Sequence, residues 1–273
     1  MTSQKFVYAF EEGDGKDKML LGGKGANLCE MTQIGLNVPP GFTLTTDACR
    51  AYLENDALPD GLMDEVLKYL KDLEKKTGKT FGGGDNPLLV SVRSGSSMSM
   101  PGMMDTILNL GINKATLKAL IKLTDNPRFG YDAYRRFIQL FGKIALGVED
   151  KHFDEAMAAM KKKVGVTDDV DLKAEHLSEL ADQFAKIIET NTGKPFLDDP
   201  YKQLEIAIGA VFRSWNGKRA IDYRRQFKIT KEQANGTAVN ICTMVFGNMG
   251  NDSATGVAMT RSGATGERGI EGD

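Results

Sequence analysis

The chain has 273 residues and a mass of 29.8 kDa, and 35 Lys and Arg residues against 37 Asp and Glu residues give it a net charge of −2. This balance provides no overall field for nucleic acid or an anionic membrane, so any anion site has to be built locally. Apolar residues make up 41% of the chain without a run of 18, so no membrane-spanning helix is predicted. Three cysteines without a CxxC pair favour a reducing compartment, and we predict a cytoplasmic protein.

The first third of the chain predicts alternating strands and helices. Apolar runs bounded by Gly and Pro predict strands, and apolar positions three or four residues apart predict helices. In chain order the predicted elements are a strand at residues 6–10, a glycine-rich loop that opens a helix (LLGGKGANLCEMTQIG), a turn into a strand (VPPGFTLTT), an amphipathic helix at residues 60–77 and a buried strand in PLLVSVRS.

The middle of the chain predicts almost only helix, and the last third returns to strands. Helices are predicted at residues 114–123, 130–146, 152–163 and 173–190, and another begins with the acidic cap and proline of DDP at residues 198–200 and is interrupted at Asn216-Gly217. Residues 237–247 and 255–261 predict a hairpin. The pattern indicates an α+β fold with a helical insertion of roughly 85 residues.

Two short segments could bind an anion. Glycines before a helix allow backbone N–H groups to approach an anion, and Lys24 in GGKG adds a point charge. Arg93 follows the apolar strand and precedes SGSS, and its guanidinium suits bidentate binding of phosphate. A solvated lysine in a glycine-rich turn and a structural salt bridge are comparably good interpretations of these residues taken singly.

The other polar residues favour no competing chemistry. We expect most arginines of the basic segments around residues 128–136 and 213–225 to lie on solvated faces, and at most a few to reach a ligand. His152 and His176 lie in charged helical sequence and predict surface residues. HExxH, GxSxG and Cys/His metal spacings are missing from the sequence, which argues against a zinc or serine hydrolase.

A set of segments spread over nearly the whole chain is more specific than any of these single motifs. The segments are FEEGDGKDKMLLGGKGANLCEM, VPPGFTLTT, LLVSVRSGSSMSMPGMMDTILNLG, NPRFGYDAYRRFIQ, AVFRSWNGKRAIDYRR, GTAVNICTMVFGN and TGVAMTRSGATGE. Together they resemble the N-terminal nucleotide-binding region of the pyruvate, phosphate dikinase family. The segment PGMMDT is the most specific part of this resemblance.

The resemblance implies an ATP-grasp-like fold, in which two subdomains clasp ATP and a helical insertion interrupts the first. Residues 1–112 and 199–243 then form the first subdomain, 113–198 the insertion and 244–273 the start of the second. The family uses ATP and inorganic phosphate to phosphorylate a histidine on a separate swivelling domain. The phosphoryl group then passes to pyruvate, giving phosphoenolpyruvate, AMP and pyrophosphate. Magnesium as cofactor and a homodimeric full-length protein are also implied.

The resemblance also assigns roles to residues of this chain. Lys24 and Arg93 match phosphate-contacting residues and are the candidate catalytic groups, and Arg135 or Arg136 is a weaker candidate for the same phosphates. A mobile loop that closes over the phosphates matches Met100 to Thr106, and an adenine-lining segment matches Thr243, Met244 and Val245. Cys242 departs from the family pattern, in which we expect glutamine. The loop residues expected to contact ATP are Gly102, Met104, Asp105 and Thr106.

In the family the magnesium ligands, the phosphohistidine domain and the pyruvate-binding barrel follow the matched region, so we expect them beyond Asp273 and expect no metal ligand within the chain. We therefore expect an N-terminal fragment that is inactive alone, with residues 237–247 and 255–261 exposed as unpaired sheet edges. The alternatives are a non-catalytic interaction or regulatory module and a related glucan-type dikinase.

Overall fold

The computed structural model describes residues 4–273, and this part of the chain combines a five-stranded sheet with nine α-helices. The predicted α+β class is confirmed. Within the described residues no helix is long and apolar enough to cross a bilayer. The helices are α1 (Lys18–Gln33), α2 (Thr46–Asn55), α3 (Leu62–Thr77), α4 (Lys114–Thr124), α5 (Pro127–Leu140), α6 (Asp150–Val164), α7 (Ala174–Thr192), α8 (Pro200–Ser214) and α9 (Lys218–Gln226), with a π-helical turn at Phe141–Ala145 and a 3₁₀ turn at Asp169–Asp171.

Between residues 4 and 273 nine strands form three sheets, of which the largest carries the core. Its strand order is β1-β2-β7-β5-β6, and every neighbouring pair is antiparallel. The other two sheets are the short pairs β3–β4 and β8–β9. The strands are β1 (Val7–Ala9), β2 (Gly41–Leu44), β3 (Thr80–Phe81), β4 (Pro87–Leu88), β5 (Val90–Gly95), β6 (Thr106–Leu110), β7 (Ala238–Thr243), β8 (Ala258–Arg261) and β9 (Arg268–Gly272).

The central strand β7 corrects the predicted hairpin between residues 237–247 and 255–261. Strand β7 pairs with β2 on one side and with β5 on the other, so it is neither a hairpin partner of β8 nor an unpaired edge. Strand β8 pairs instead with β9, and both strands are exposed along their whole length. The prediction of an unpaired edge is therefore wrong for β7, because partners far away in sequence complete its ladder.

The two faces of the large sheet differ in chemistry. Val92 and Ile241 are opposite each other and fully buried in the main core, on the face where α8 lies against β5, β6 and β7. The register places Arg93 opposite both Asn240 and Thr106 on the other face. Helix α1 lies on this polar face, since Gly25 approaches the side chains of Asn240 and Thr43. The sheet thus separates the main core from a mixed face, here called the polar face, where α1 covers the buried Asn240 and Thr43 and a small apolar cluster that includes Phe10 and Leu21.

A break inside α1 brings this helix against β5. Asp17 caps its first turn by accepting from the Leu20 N–H at 2.9 Å, and Gly22 then adopts φ 68° and ψ 161°, a conformation that side-chain-bearing residues avoid. A Cβ at Gly22 would lie 1.8 Å from the Gly95 carbonyl oxygen. The glycine-rich segment therefore interrupts the helix instead of preceding it, and Lys24 lies in the first turn after the break.

The helices between β6 and α8 form the predicted insertion-like segment, whose domain limits stay a prediction. The predicted helices at residues 114–123, 152–163 and 173–190 are confirmed as α4, α6 and α7, each within two residues of the predicted ends. The helix at 130–146 begins earlier, at Pro127, and changes to a π-helical turn at Phe141. Phe137, Phe141 and Phe196 pack together with centroid separations of 5.6–6.1 Å.

Candidate anion-binding site

Lys24 and Arg93 lie close together at the edge of the polar face. The Lys24 ammonium donates a hydrogen bond to the Ser94 carbonyl at 3.1 Å, so it lies beside the residue that follows Arg93. Burial lowers the pKa of Lys24, and the positive charge of Arg93 lowers it further. Neither side chain forms an ion pair with any residue between 4 and 273. Two uncompensated cations, one of them partly desolvated, form an arrangement that an anion would stabilise.

Glycine is required where α1 meets the strand that carries Arg93. A Cβ at Gly95 would lie 2.8 Å from the Asn240 side-chain nitrogen and 3.3 Å from Lys24 Cβ. That buried Asn240 nitrogen has no hydrogen-bond acceptor in the described part of the chain, while its Oδ1 accepts from the Thr43 hydroxyl at 2.9 Å. The close packing fixes the position of Lys24 and leaves the Asn240 side-chain nitrogen next to it without an acceptor.

A cleft of about 740 Å³ opens next to Lys24, a size common for small-molecule sites. Its walls are α1 and the segment that connects β5 to β6, which includes Ser96, Ser97 and Ser99. The Ser97 hydroxyl already donates to the Gln233 carbonyl at 2.5 Å, whereas the Ser96 hydroxyl has no partner among residues 4–273. Hydroxyls, a lysine and closely approaching glycine backbone can donate hydrogen bonds to phosphate oxygens. The cleft therefore has the donors expected of a polyphosphate site.

Residues 100–106, here called the lid loop, lie at the mouth of the cleft. Gly102, Met104 and Thr106, which the resemblance predicts to contact the phosphates of ATP, line the cleft. Met100, also in the lining, is 6% exposed and packs into the main core, so it anchors one end of the loop. The other end is fastened by an interaction that the sequence gives no sign of.

That interaction joins the lid loop to α9. Arg219 donates to Asp105 Oδ1 at 2.9 Å and to the Gly102 carbonyl at 3.3 Å. In this state Asp105 faces Arg219 and does not line the cleft. Arg219 thus has a partner, and sequence reasoning could not find it because the two residues are 114 positions apart.

The predicted adenine segment lies away from the cleft. Thr243 donates both its N–H and its hydroxyl to the Pro40 carbonyl, at 3.0 and 2.9 Å, and the Met244 N–H donates to the Leu89 carbonyl at 2.8 Å. Val245 is 70% exposed. None of the three lines the cleft, and Thr243 lies three residues along β7 from Asn240, about 10 Å at strand spacing.

Cys242 shares the polar face with Arg93, whereas Thr243 points to the other face. Cys242 is opposite Ser91 and half-buried, and its Sγ contacts the Pro39 carbonyl at 3.4 Å. Burial raises the pKa of the Cys242 thiol, and the charge of Arg93 opposes that shift. Strand alternation from Arg93 through Asn240 was the sequence signal that could have placed Cys242 here.

The remaining basic candidates have partners outside the cleft. Asp132 forms ion pairs with both Arg135 and Arg136, at 2.5 and 2.8 Å, and the Arg135 side chain is buried. Arg128 donates to two backbone carbonyls near the 3₁₀ turn. His176 is half-buried and accepts from the Lys173 N–H at 3.2 Å. Among residues 4–273 no three His, Cys, Asp or Glu residues are grouped so as to hold a metal ion, so no residue is assigned to magnesium.

Comparison with known proteins gives a matching family model and several curated relatives. Residues 18–62 and 53–270 match the family model described as "Pyruvate phosphate dikinase, AMP/ATP-binding domain". The pyruvate, phosphate dikinase of Entamoeba histolytica is 62% identical over 262 residues, which cover 96% of this chain and 30% of that protein. The enzyme of Clostridium symbiosum is 49% identical over 98% of the chain and 31% of its own length.

A chloroplastic relative from Flaveria pringlei, named "Pyruvate, phosphate dikinase, chloroplastic", is 48% identical over the whole of this chain and 29% of its own length. The chain therefore spans about 30% of the length of the curated relatives that it matches.

Proposed function

This chain belongs to the pyruvate phosphate dikinase AMP/ATP-binding domain family, and from that premise we propose that Lys24, Arg93 and the lid loop bind the phosphates of ATP. The observation that carries the proposal is the pair of adjacent cations, which lack a carboxylate partner among residues 4–273. Lys24 lines the cleft of about 740 Å³, and Arg93 directly precedes Ser94, the first residue of β5 that lines it. A structural role for both residues would need an anion that the described chain does not supply.

In this proposal each group acts by binding and positioning. Arg93 donates two parallel hydrogen bonds to phosphate oxygens, Lys24 supplies a point charge, and the serine hydroxyls and loop N–H groups complete the contacts. Phosphoryl transfer depends mainly on alignment and charge neutralisation, so these groups suffice for the protein's part in orienting ATP. Magnesium, when bound with ATP, would further neutralise the phosphates.

We extend the proposal to the activity of the longer relatives. ATP and inorganic phosphate would phosphorylate a histidine on a separate swivelling domain, and pyruvate would then accept the phosphoryl group, giving phosphoenolpyruvate, AMP and pyrophosphate. The 273 residues would supply the nucleotide site alone, because they span about 30% of the relatives' length. We expect a polypeptide of only these residues to form no phosphoenolpyruvate. A cytoplasmic location and a homodimeric full-length protein belong to the same proposal.

The adenine ring would lie toward the end of β7, where Val245 exposes apolar surface and Cys242 shares the face of Arg93. Thr243 and Met244 would contribute carbonyl oxygens, since their N–H groups already donate to Pro40 and Leu89. The first ATP-grasp subdomain would consist of residues 1–112 and 199–243, with 113–198 as the helical insertion. Residues 244–273, including the β8–β9 pair, would begin the second.

The proposal is tested by titrating ATP, with and without Mg²⁺, into the wild-type chain and into Lys24→Met and Arg93→Met. Loss of one charged hydrogen-bond donor should weaken binding by roughly tenfold or more in each variant. Lys122→Met, which removes an exposed lysine of α4, is the matched control and should bind as the wild type does. Unchanged affinity in both site variants, with their folds intact, would refute the assignment and favour the interaction module or glucan-type alternative.

A further inference from the structure

A second cleft lies among α4, α5 and α7, and it shares no lining residue with the Lys24 site. It has two lobes of about 300 and 210 Å³, which meet at Lys114, Tyr134, Ala181 and Asp182. Phe196 lines the larger lobe, and residues of α4 and α5 line the smaller lobe. Here this two-lobed space is called the insertion cleft, and its combined size is in the range of small-molecule sites.

Tyr134, which lines both lobes, is 7% exposed, and its hydroxyl has no hydrogen-bond partner among residues 4–273. The hydroxyl oxygen itself is not enclosed by protein, so it reaches the open space of the cleft, where water or a ligand can be its partner. Burial, followed by the charges of Asp198 and Asp182, raises the pKa of Tyr134 to about 12, so the phenol stays protonated at neutral pH. The hydroxyl is thus an unused polar group between two carboxylates.

The six charged side chains around the insertion cleft are solvent-exposed and are unequally divided between its two lobes. None of the six forms an ion pair within the described chain, although other helix charges nearby do, such as Lys163 with Glu179 at 2.8 Å. The larger lobe has three acidic and two basic residues, and the smaller has one acidic and two basic residues. The six are Asp182, Glu189 and Asp198, and Lys114, Lys118 and Lys186.

We propose that the insertion cleft binds a small zwitterion, an amino acid or a dipeptide, whose ammonium group enters the acidic lobe and whose carboxylate enters the basic lobe. The ammonium donates to Asp182, to Asp198 and to the Tyr134 hydroxyl oxygen, which is open to the cleft. The carboxylate accepts from Lys114 and Lys118, and an apolar side chain packs against Leu117 and Tyr131. A ligand with one charge would satisfy only half of these groups.

The experiment compares four probes by calorimetric titration: L-leucine and glycyl-L-leucine, which are zwitterions, and 3-methylbutylamine and 4-methylpentanoate, which each carry one charge. We expect saturable binding of at least one zwitterion with a Kd on the order of 1 mM, and at least tenfold weaker binding of both single-charge probes. Leucine and the dipeptide distinguish the two ligand sources by length. Failure of both zwitterions to saturate below about ten times that concentration would overturn the proposal, as would equal binding of either single-charge probe.

Two variants test the residues. Tyr134→Phe keeps the ring and removes only the hydroxyl, and Asp182→Asn removes one carboxylate, so we expect roughly several-fold and tenfold losses of affinity, respectively. Asp154→Asn, an exposed residue of α6 away from the cleft, is the matched control. If Asp182→Asn fails to fold, the conservative Tyr134→Phe still decides the outcome. Wild-type affinity in Tyr134→Phe would refute the site.

Discussion

The close contact between Gly22 and Gly95 makes a quantitative prediction. Replacing Gly22 with Ala places a Cβ 1.8 Å from the Gly95 carbonyl oxygen and 2.6 Å from its carbon, both of them backbone atoms that cannot rotate away. The residue also keeps φ 68° and ψ 161°, a glycine conformation that costs about 1–3 kcal/mol for alanine. Forcing α1 and β5 apart costs a further amount of about 1–3 kcal/mol. We therefore expect the free energy of unfolding to fall by about 4 kcal/mol.

Gly35→Ala is the matched control, because Gly35 has φ 85° but no atom within 4 Å of the added Cβ. It should cost about 1 kcal/mol from the backbone conformation alone. Urea denaturation of the two variants and the wild type, compared at similar m values, measures both losses. A Gly22→Ala loss no larger than that of Gly35→Ala would refute the reasoning, since the contact with Gly95 would then carry no cost.

Four further predictions follow from contacts around the sites. Asp132→Asn leaves the buried Arg135 guanidinium without its carboxylate, so the free energy of unfolding measured in urea should fall by about 3–5 kcal/mol. Asp222→Asn removes two exposed ion pairs and should leave the midpoint of the urea transition unchanged. Asp105→Asn should lower the backbone order parameters of the lid loop measured by ¹⁵N relaxation, and Asp47→Asn is the control. Unchanged order parameters in Asp105→Asn would show that Arg219 does not hold the loop. Iodoacetamide should alkylate Cys242 before Cys29 and Cys49, because burial raises the pKa of these two thiols to about 11 and about 12, and ATP should protect Cys242. Peptide mapping that finds Cys49 labelled first contradicts this order. Because the pKa of Lys24 is lowered, its positive charge is lost at a lower pH than that of an ordinary lysine. ATP affinity should therefore begin to fall as the pH rises toward the pKa of Lys24, and Lys24→Arg should remove that fall.

Local signals in the sequence predicted the elements that depend on local chemistry. The acidic cap and proline at the start of α8, and the glycine that follows α3, are strong enough to define those helices. The break at Asn216-Gly217 also appears, between α8 and α9. By contrast α2 and β6 were missed, because α2 is short and β6 follows a methionine-rich loop without an alternating pattern.

Long-range pairing limited the prediction of the sheet and of the site. The ladder of β7 is completed by β2 and β5, and no short-range pattern in residues 237–261 reveals those partners. Lys24 and Arg93 were each selected from sequence, but only the Gly22–Gly95 contact explains why they are adjacent. The Arg219–Asp105 pair and the partners of Thr243 needed the structure for the same reason.

The position of β7 has a consequence for folding during synthesis. Strands β1 and β2 leave the ribosome early, and β5 and β6 follow, but the strand that joins these two pairs begins only at Ala238. At about 5–20 residues per second, roughly 7 to 30 seconds pass between the synthesis of β5 and that of β7. During that interval β2 and β5 each expose an open hydrogen-bonding edge, and the nascent chain depends on its helices and on chaperones to keep those edges from pairing wrongly.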